Sequence, residues 1–238
     1  MRLFQIRSSR LLLLLLPLLG SCWTPSEKIT LDLENLPALS SDCSQPWPNF
    51  RHQINMESLA RVLARHPRAT ISYKEALKLV YLVDKEADIQ RVDPLQVLAL
   101  IVVESGARPE SVSPANAHGL MQILPETGKF IAHSRGEKWR GEKSLFDPRT
   151  NVRYGTWYYR YLRDTFGGDD HSALAAYNWG PGTIQDRVKG GEKLPRLYPE
   201  KVWLEERWIQ KEWNRENISY FWRRLGELGD QFRNAGVS

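Results

Sequence analysis

Cysteine is scarce in this chain: two residues in 238, Cys22 and Cys43, so at most one disulfide is available. The five histidines are scattered, and no Cys/His cluster has metal-ligand spacing, so neither a metal nor any other cofactor is called for. No stretch alternates apolar and polar residues in the paired pattern of a hairpin, and no tandem repeat is visible, which speaks against a β-rich or solenoid fold. Long apolar runs are missing outside the first residues, where Leu11 to Leu19 is broken by Pro17 and is too short to span a bilayer. What remains is a chain of helical patterns separated by glycine- and proline-rich breaks, so the fold class expected is mainly α with little or no β-sheet.

The amino terminus reads as an export signal. Arg2, Arg7 and Arg10 form a basic region before the apolar run, which ends in Leu19-Gly20-Ser21-Cys22. This resembles the lipobox of bacterial lipoproteins, which implies cleavage before Cys22 and its acylation. Trp23, standing where that family's sorting pattern can place Asp, implies the outer membrane. An acylated Cys22 leaves Cys43 without a partner; otherwise the two can pair. Loss of residues 1–21 removes three arginines and no acids, lowering the formal charge from +5 to +2. So small an excess gives no case for nucleic acid binding. Arg51, Arg61, Arg65, His66 and Arg68 lie close together in sequence and read as a solvated helix face.

Three segments are expected: the signal at 1–21, a proline-rich tether with an N-terminal helical stretch at 22–71, and a folded domain at 72–233. A helix runs from about Asn55 to Arg65. Ser72 with Glu75 has capping-box spacing and opens the domain. Asp93-Pro94 opens a helix that is apolar nearly all round (Leu95, Val97, Leu98, Leu100, Ile101, Val102) and so belongs at the centre of the fold. Gly106, Pro109 and Pro114 make 105–118 a loop. Further helices open at Pro125 and at Asp147-Pro148, where Asp147 reads as a cap. A short one covers His171 to Asn178 and stops at Gly180-Pro181-Gly182. A loop fills Gly190 to Pro199, and helix-compatible sequence continues to Phe232.

Glu104 ends the central apolar helix. Burial disfavours its charged form, and the negative end of the helix macrodipole acts in the same direction, so its pKa should rise into the range useful to a general acid. No second acid suggests itself as a catalytic partner. Glu110 and Glu126 are near in sequence without holding a comparable position.

Four strings in order then resemble the SLT-type lytic transglycosylases: Glu104-Ser105 with Pro109, Ser113-Pro114-Ala115 and Gly119-Leu120-Met121-Gln122-Ile123; Phe146-Asp147-Pro148 with Asn151 and Gly155; Ala175-Ala176-Tyr177-Asn178 with Gly180-Pro181-Gly182; and Glu216 with Tyr220. The likeness covers roughly residues 72–225. Asn116 stands where glycine is common, Asn217 replaces a threonine, and 186–212 looks like an insertion. The resemblance implies a lysozyme-like fold and cleavage of peptidoglycan glycan strands between N-acetylmuramic acid and N-acetylglucosamine, with a 1,6-anhydro product. It makes Glu104 the catalytic acid. Ser113 would bond near Glu104, Met121 and Gln122 would line the muramyl subsite, and Tyr177 and Asn178 would stand beside the reacting centre. Met121 reads equally well as plain core, and Asn178 as a helix-terminal residue. Trp203, Trp208 and Trp213 recur every five residues, so they fall on different helix faces and read as separate anchors; Trp179 is the better cleft-wall candidate. Competing functions are a goose-type-lysozyme-like hydrolase and a non-catalytic wall-binding scaffold. Protein partners are not specified.

Overall fold

The computed structural model describes residues 47–234, with side-chain surroundings for 56–219. The signal, Cys22 and most of the tether lie outside the described residues. Eight helices are described: α1 Trp47–Ala64, α2 Tyr73–Gln90, α3 Pro94–Ser105, α4 Pro125–Ser134, α5 Pro148–Thr165, α6 Asp170–Trp179, α7 Pro181–Lys189 and α8 Leu197–Asn234. A 3-10 turn, Glu142–Phe146, precedes α5. Among the described residues there is no strand, only isolated bridges from His118 to Val112 and Ile123. The mainly helical expectation holds.

Local sequence explains most boundaries. Ser72 and Glu75 form the reciprocal capping box at the start of α2. Asp93 accepts from the Leu95 N–H at 2.8 Å, and Pro94 occupies the first helical position of α3. Gly106 ends that helix in a left-handed conformation, with its N–H returned to the Val102 carbonyl. The α3 helix is buried from Leu95 through Val102 and packs against α2 and α8, so the apolar segment does form the centre.

The structure adds to the sequence reading. The helical stretch ahead of Ser72 joins the same packing: α1 starts at Trp47 and packs on α2 and α8, placing Leu59, Val62 and Leu63 in the core. As expected, α6 ends at Gly180-Pro181-Gly182, with Gly180 as its cap, but a further helix, α7, begins at Pro181, which is well suited to a first turn. The 186–212 stretch, read as an insertion, is built into the fold. It contains the end of α7 and the first half of α8, whose Tyr198, Val202 and Ile209 are buried in the common core.

The basic cluster also differs from a solvated face. Glu216 on α8 accepts from Arg61 Nε at 2.7 Å and from Arg65, and Glu205 accepts from Arg68. His66 is buried, its Nδ1 accepts from the Arg68 N–H, and its Nε2 lies 2.9 Å from Glu205. These pairs fasten the end of α1 to α8. The tryptophans act as separate anchors: Trp203 meets His171, whereas Trp208 sits edge-on to His66.

Candidate active site

The site is built where the last turn of α3 meets the loop 111–123. Ser105 is buried, and its hydroxyl donates to the Leu120 carbonyl at 2.7 Å, tying the end of α3 to that loop. Asn151 on α5 organises the loop further. Its fully buried amide accepts from the Met121 N–H at 2.7 Å and donates to the carbonyls of His118 and Leu145 at 2.8 and 2.7 Å. The Met121 N–H and the Leu145 carbonyl thereby gain partners, and the His118 carbonyl, which also accepts from the Ile123 N–H, gains a second one.

Gly119 is required at this point. Its φ of +79° lies in the left-handed region, and a Cβ there would stand 2.3 Å from both Asn151 Nδ2 and the Leu145 oxygen. Gly155 permits a second close approach: a Cβ would fall 2.4 Å from Met121 Sδ. Asn116, in place of the more usual glycine, adopts φ +61°, a conformation asparagine tolerates better than most side chains. Its side-chain oxygen accepts from His118 Nε2 at 2.8 Å.

Glu104 sits on this frame. Burial pushes its carboxyl up to about 7, and a hydrogen bond from the Tyr198 hydroxyl pulls in the opposite direction without cancelling it. Among the described residues no other carboxylate contributes to that shift. Tyr177 stands close by. Its hydroxyl donates to the Met121 carbonyl at 2.8 Å, and its ionisation is opposed first by burial and then by the charge of Glu104. The arrangement can hold a proton near neutral pH.

The remaining expected site residues divide. Ser113 closes the turn: its backbone N–H donates to the Ala117 carbonyl, and its hydroxyl oxygen accepts from Ala117 N–H, both at 3.0 Å. No hydrogen bond joins it to Glu104. The Met121 side chain is wholly buried, so its core reading prevails for the side chain, while its backbone joins Asn151 to Tyr177. Gln122, at φ +48°, folds back to donate from Nε2 to the carbonyls of Gly119 and Ser111 at 2.8 and 3.1 Å. Asn178 is exposed. Glu216 lies with Arg61 and Arg65, not with Glu104, and the Tyr220 side chain falls outside the described residues.

Two residues were not singled out from sequence for the parts they play here. Tyr198 lies 94 positions from Glu104, in a stretch read as loop and insertion, where helical periodicity gives no hint of the contact. Asn151 was visible only as a motif position; its three backbone contacts depend on the folded loop.

Parts of the chain are similar to known proteins. The family model described as "Transglycosylase SLT domain" matches residues 81–196. The membrane-bound lytic murein transglycosylase C of Histophilus somni (strain 2336) is 32% identical over 142 residues, 54% of this chain and 39% of that protein. The soluble lytic murein transglycosylase of Salmonella typhimurium is 38% identical over 89 residues, 37% of this chain and 14% of that protein. The chain thus spans well under half the length of these relatives. Among solved structures, an inactive mutant of the lytic transglycosylase Slt from Pseudomonas aeruginosa overlays 58% of this chain and 22% of its own at 26% identity and a TM-score of 0.45. The 70 kDa soluble lytic transglycosylase of Escherichia coli overlays 72% of this chain and 29% of its own at 22% identity and a TM-score of 0.46. Residues 81–196 are thus similar to the transglycosylase SLT domain.

Proposed function

We propose that the protein is a peptidoglycan lytic transglycosylase that cleaves the β-1,4 bond between N-acetylmuramic acid and N-acetylglucosamine without adding water. The observation that carries this reading is a solitary carboxyl, Glu104, with a pKa near 7 set by burial and by Tyr198, and with no second acid acting on it among the described residues. A retaining hydrolase places its two carboxyl groups about 5–5.5 Å apart and an inverting one about 6.5–9.5 Å apart. A lone carboxyl suits a route in which the substrate supplies the missing groups. Glu104 donates its proton to the leaving glycosidic oxygen while the substrate's 2-acetamido group stabilises the oxocarbenium-like centre. As carboxylate, it then accepts the proton of the muramyl 6-hydroxyl, which closes on C1 to give the 1,6-anhydro sugar. Tyr198 and Tyr177 hold the carboxyl and the loop in place; the family resemblance would put Gln122 and Asn178 beside the muramyl sugar.

Mass spectrometry of fragments released from purified peptidoglycan tests the reading. Anhydro-muropeptides are expected; products heavier by one water, with reducing muramic acid, would instead establish the goose-type-lysozyme-like hydrolase. Binding without soluble release would establish a scaffold.

The same reading places the protein in the cell envelope, held to the outer membrane by acyl chains on Cys22. The sequence Leu19-Gly20-Ser21-Cys22 supports it, and among the described residues no helix is long and apolar enough to cross a membrane. Because a single acyl chain binds only marginally, the multiple chains of a bacterial lipoprotein are needed. Cys22→Ser is expected to appear in the soluble periplasmic fraction or to remain unprocessed; a processed variant still found with membranes would move the anchor elsewhere.

A further inference from the structure

An aromatic ladder leads away from the site. Tyr177 packs on Tyr158 with ring centres 5.7 Å apart, Tyr158 on Tyr161 at 6.2 Å, and Tyr161 stacks on Trp157 at 5.5 Å with the rings 10° from parallel. Positions 157, 158 and 161 of one helix cannot share a single line, so the ladder turns around α5 from the site to its outer face. There Phe130 of α4 meets the Tyr161 ring edge-on at 5.4 Å and remains 41% exposed.

Beside that outer face lies a cavity of about 310 Å³, at the low end of the roughly 300–1,000 Å³ usual for ligand pockets. Trp157 and Tyr161 line one side; Ile89, Gln90, Arg91, Arg160 and Asp164 line the rest. Arg160 is paired side-on with Asp164, two contacts of 2.9 Å, and reaches the Gln90 carbonyl at 3.5 Å. The fork is thus held rigid while both side chains stay partly open to solvent. Ile89 is 57% exposed. If the cluster only cemented α2, α4 and α5 together, its outer members would be covered.

We propose that this cavity is a second carbohydrate site, taking an N-acetylhexosamine of a glycan strand whose reacting bond lies at Glu104. A pyranose has an apolar C–H face for the Trp157–Tyr161 pair and equatorial hydroxyl and acetamido groups for Arg160, Asp164 and Gln90. Aromatic walls with a few fixed polar groups are the general anatomy of such pockets. One helix joins the two places: α5 carries Trp157 and Tyr161 at the cavity and Tyr158 against Tyr177. Its role is to retain the strand, so that substrate length matters beyond the few sugars in contact with the catalytic carboxyl.

The inference rests on Glu104 acting on peptidoglycan, and the test separates the two. Glu104→Gln protein is titrated calorimetrically with unfractionated peptidoglycan glycan strands freed of stem peptides, and with a peptidoglycan tetrasaccharide. Trp157→Leu and Arg160→Gln are then added singly to that background. Each is expected to weaken strand binding about tenfold, the scale of one lost stacking or fork contact, while affinity for the tetrasaccharide changes less than twofold. Arg160→Gln removes no core volume, so it decides the matter where Trp157→Leu fails to fold. Unchanged strand affinity in Arg160→Gln, or equal weakening toward strand and tetrasaccharide, overturns the second site while leaving the catalytic reading intact. A Glu104→Gln protein that binds no strand, together with a wild type that releases nothing from peptidoglycan, overturns both.

Discussion

Glu104 and Glu216 are the same residue in two buried surroundings, and they behave in opposite ways. Around Glu104 the hydrogen-bond partner is the neutral Tyr198 hydroxyl, and burial raises the carboxyl to about 7 against its pull. Around Glu216, only 9% exposed, burial also acts upward, but hydrogen bonds and charge from Arg65 and Arg61 outweigh it and hold the carboxyl below its ordinary value. Depth alone therefore does not make an acid. A carboxyl becomes a proton donor where the surroundings withhold cations, and a fastener where they supply them.

The largest effect expected from this contrast is at Glu104 itself. Glu104→Gln keeps the shape and removes the proton, so cleavage should fall by at least the ~10²–10⁴-fold typical of general acid–base groups. A purified variant retaining more than a tenth of wild-type activity would remove Glu104 from its role. The substitution should also stabilise. With its folded pKa above the unfolded value of 4.5, Glu104 holds its proton in the native state while the unfolded chain releases it. Native stability therefore declines as pH rises through that interval, and above about 7 the full cost is present. Glu104→Gln should relieve roughly 2–3 kcal/mol at pH 8 and little at pH 4, measured by urea denaturation at both.

Next comes the frame. Asn151→Ala takes the partner from the Met121 N–H and the Leu145 carbonyl, at about 1–3 kcal/mol each, and one of two bonds from the His118 carbonyl. A loss of several kcal/mol is expected with activity lost as well; a melting temperature within a degree or two of wild type would mean the loop is held by something else. Tyr198→Phe acts more narrowly. It removes the hydrogen bond that favours ionised Glu104, so the upper limb of the pH–activity profile should move to higher pH. A limb that stays in place would show that Tyr198 does not touch the titrating group. The smallest effect belongs to the fastener. Glu216→Gln should cost about 1–3 kcal/mol at neutral pH and leave the position of that limb alone. Because the folded pKa of Glu216 is depressed, its contribution is present above the ordinary carboxylate value and lost as pH falls through the folded one. Wild type and variant should therefore converge in acid.

Much of the catalytic end was legible because its signals are local. The Asp93-Pro94 start, the all-round apolar α3 and the breakers after Ser105 fix where Glu104 falls, and the Ser72–Glu75 box fixes where α2 begins. The parts that were not legible depend on residues meeting across the chain. Tyr198 follows a run of glycine and proline that reads as loop, and its contact with Glu104 exists only once α8 lies on α3. The arginines near position 61 look solvated until Glu205 and Glu216 arrive from the far end of the chain. The α7 helix was hidden by glycines that ordinarily end helices, although Pro181 marked its first turn.

The α8 helix also sets a timetable. Its first turn carries the hydroxyl that meets Glu104, and its later turns carry Glu205 and Glu216, which lock it to α1. During synthesis the acid emerges 94 residues before that hydroxyl, and the locks emerge later still. A chain stalled or clipped before residue 216 would expose an acid whose pocket is unfinished. Until α8 has folded, Glu104 is expected to lack the Tyr198 hydroxyl that favours its ionised form.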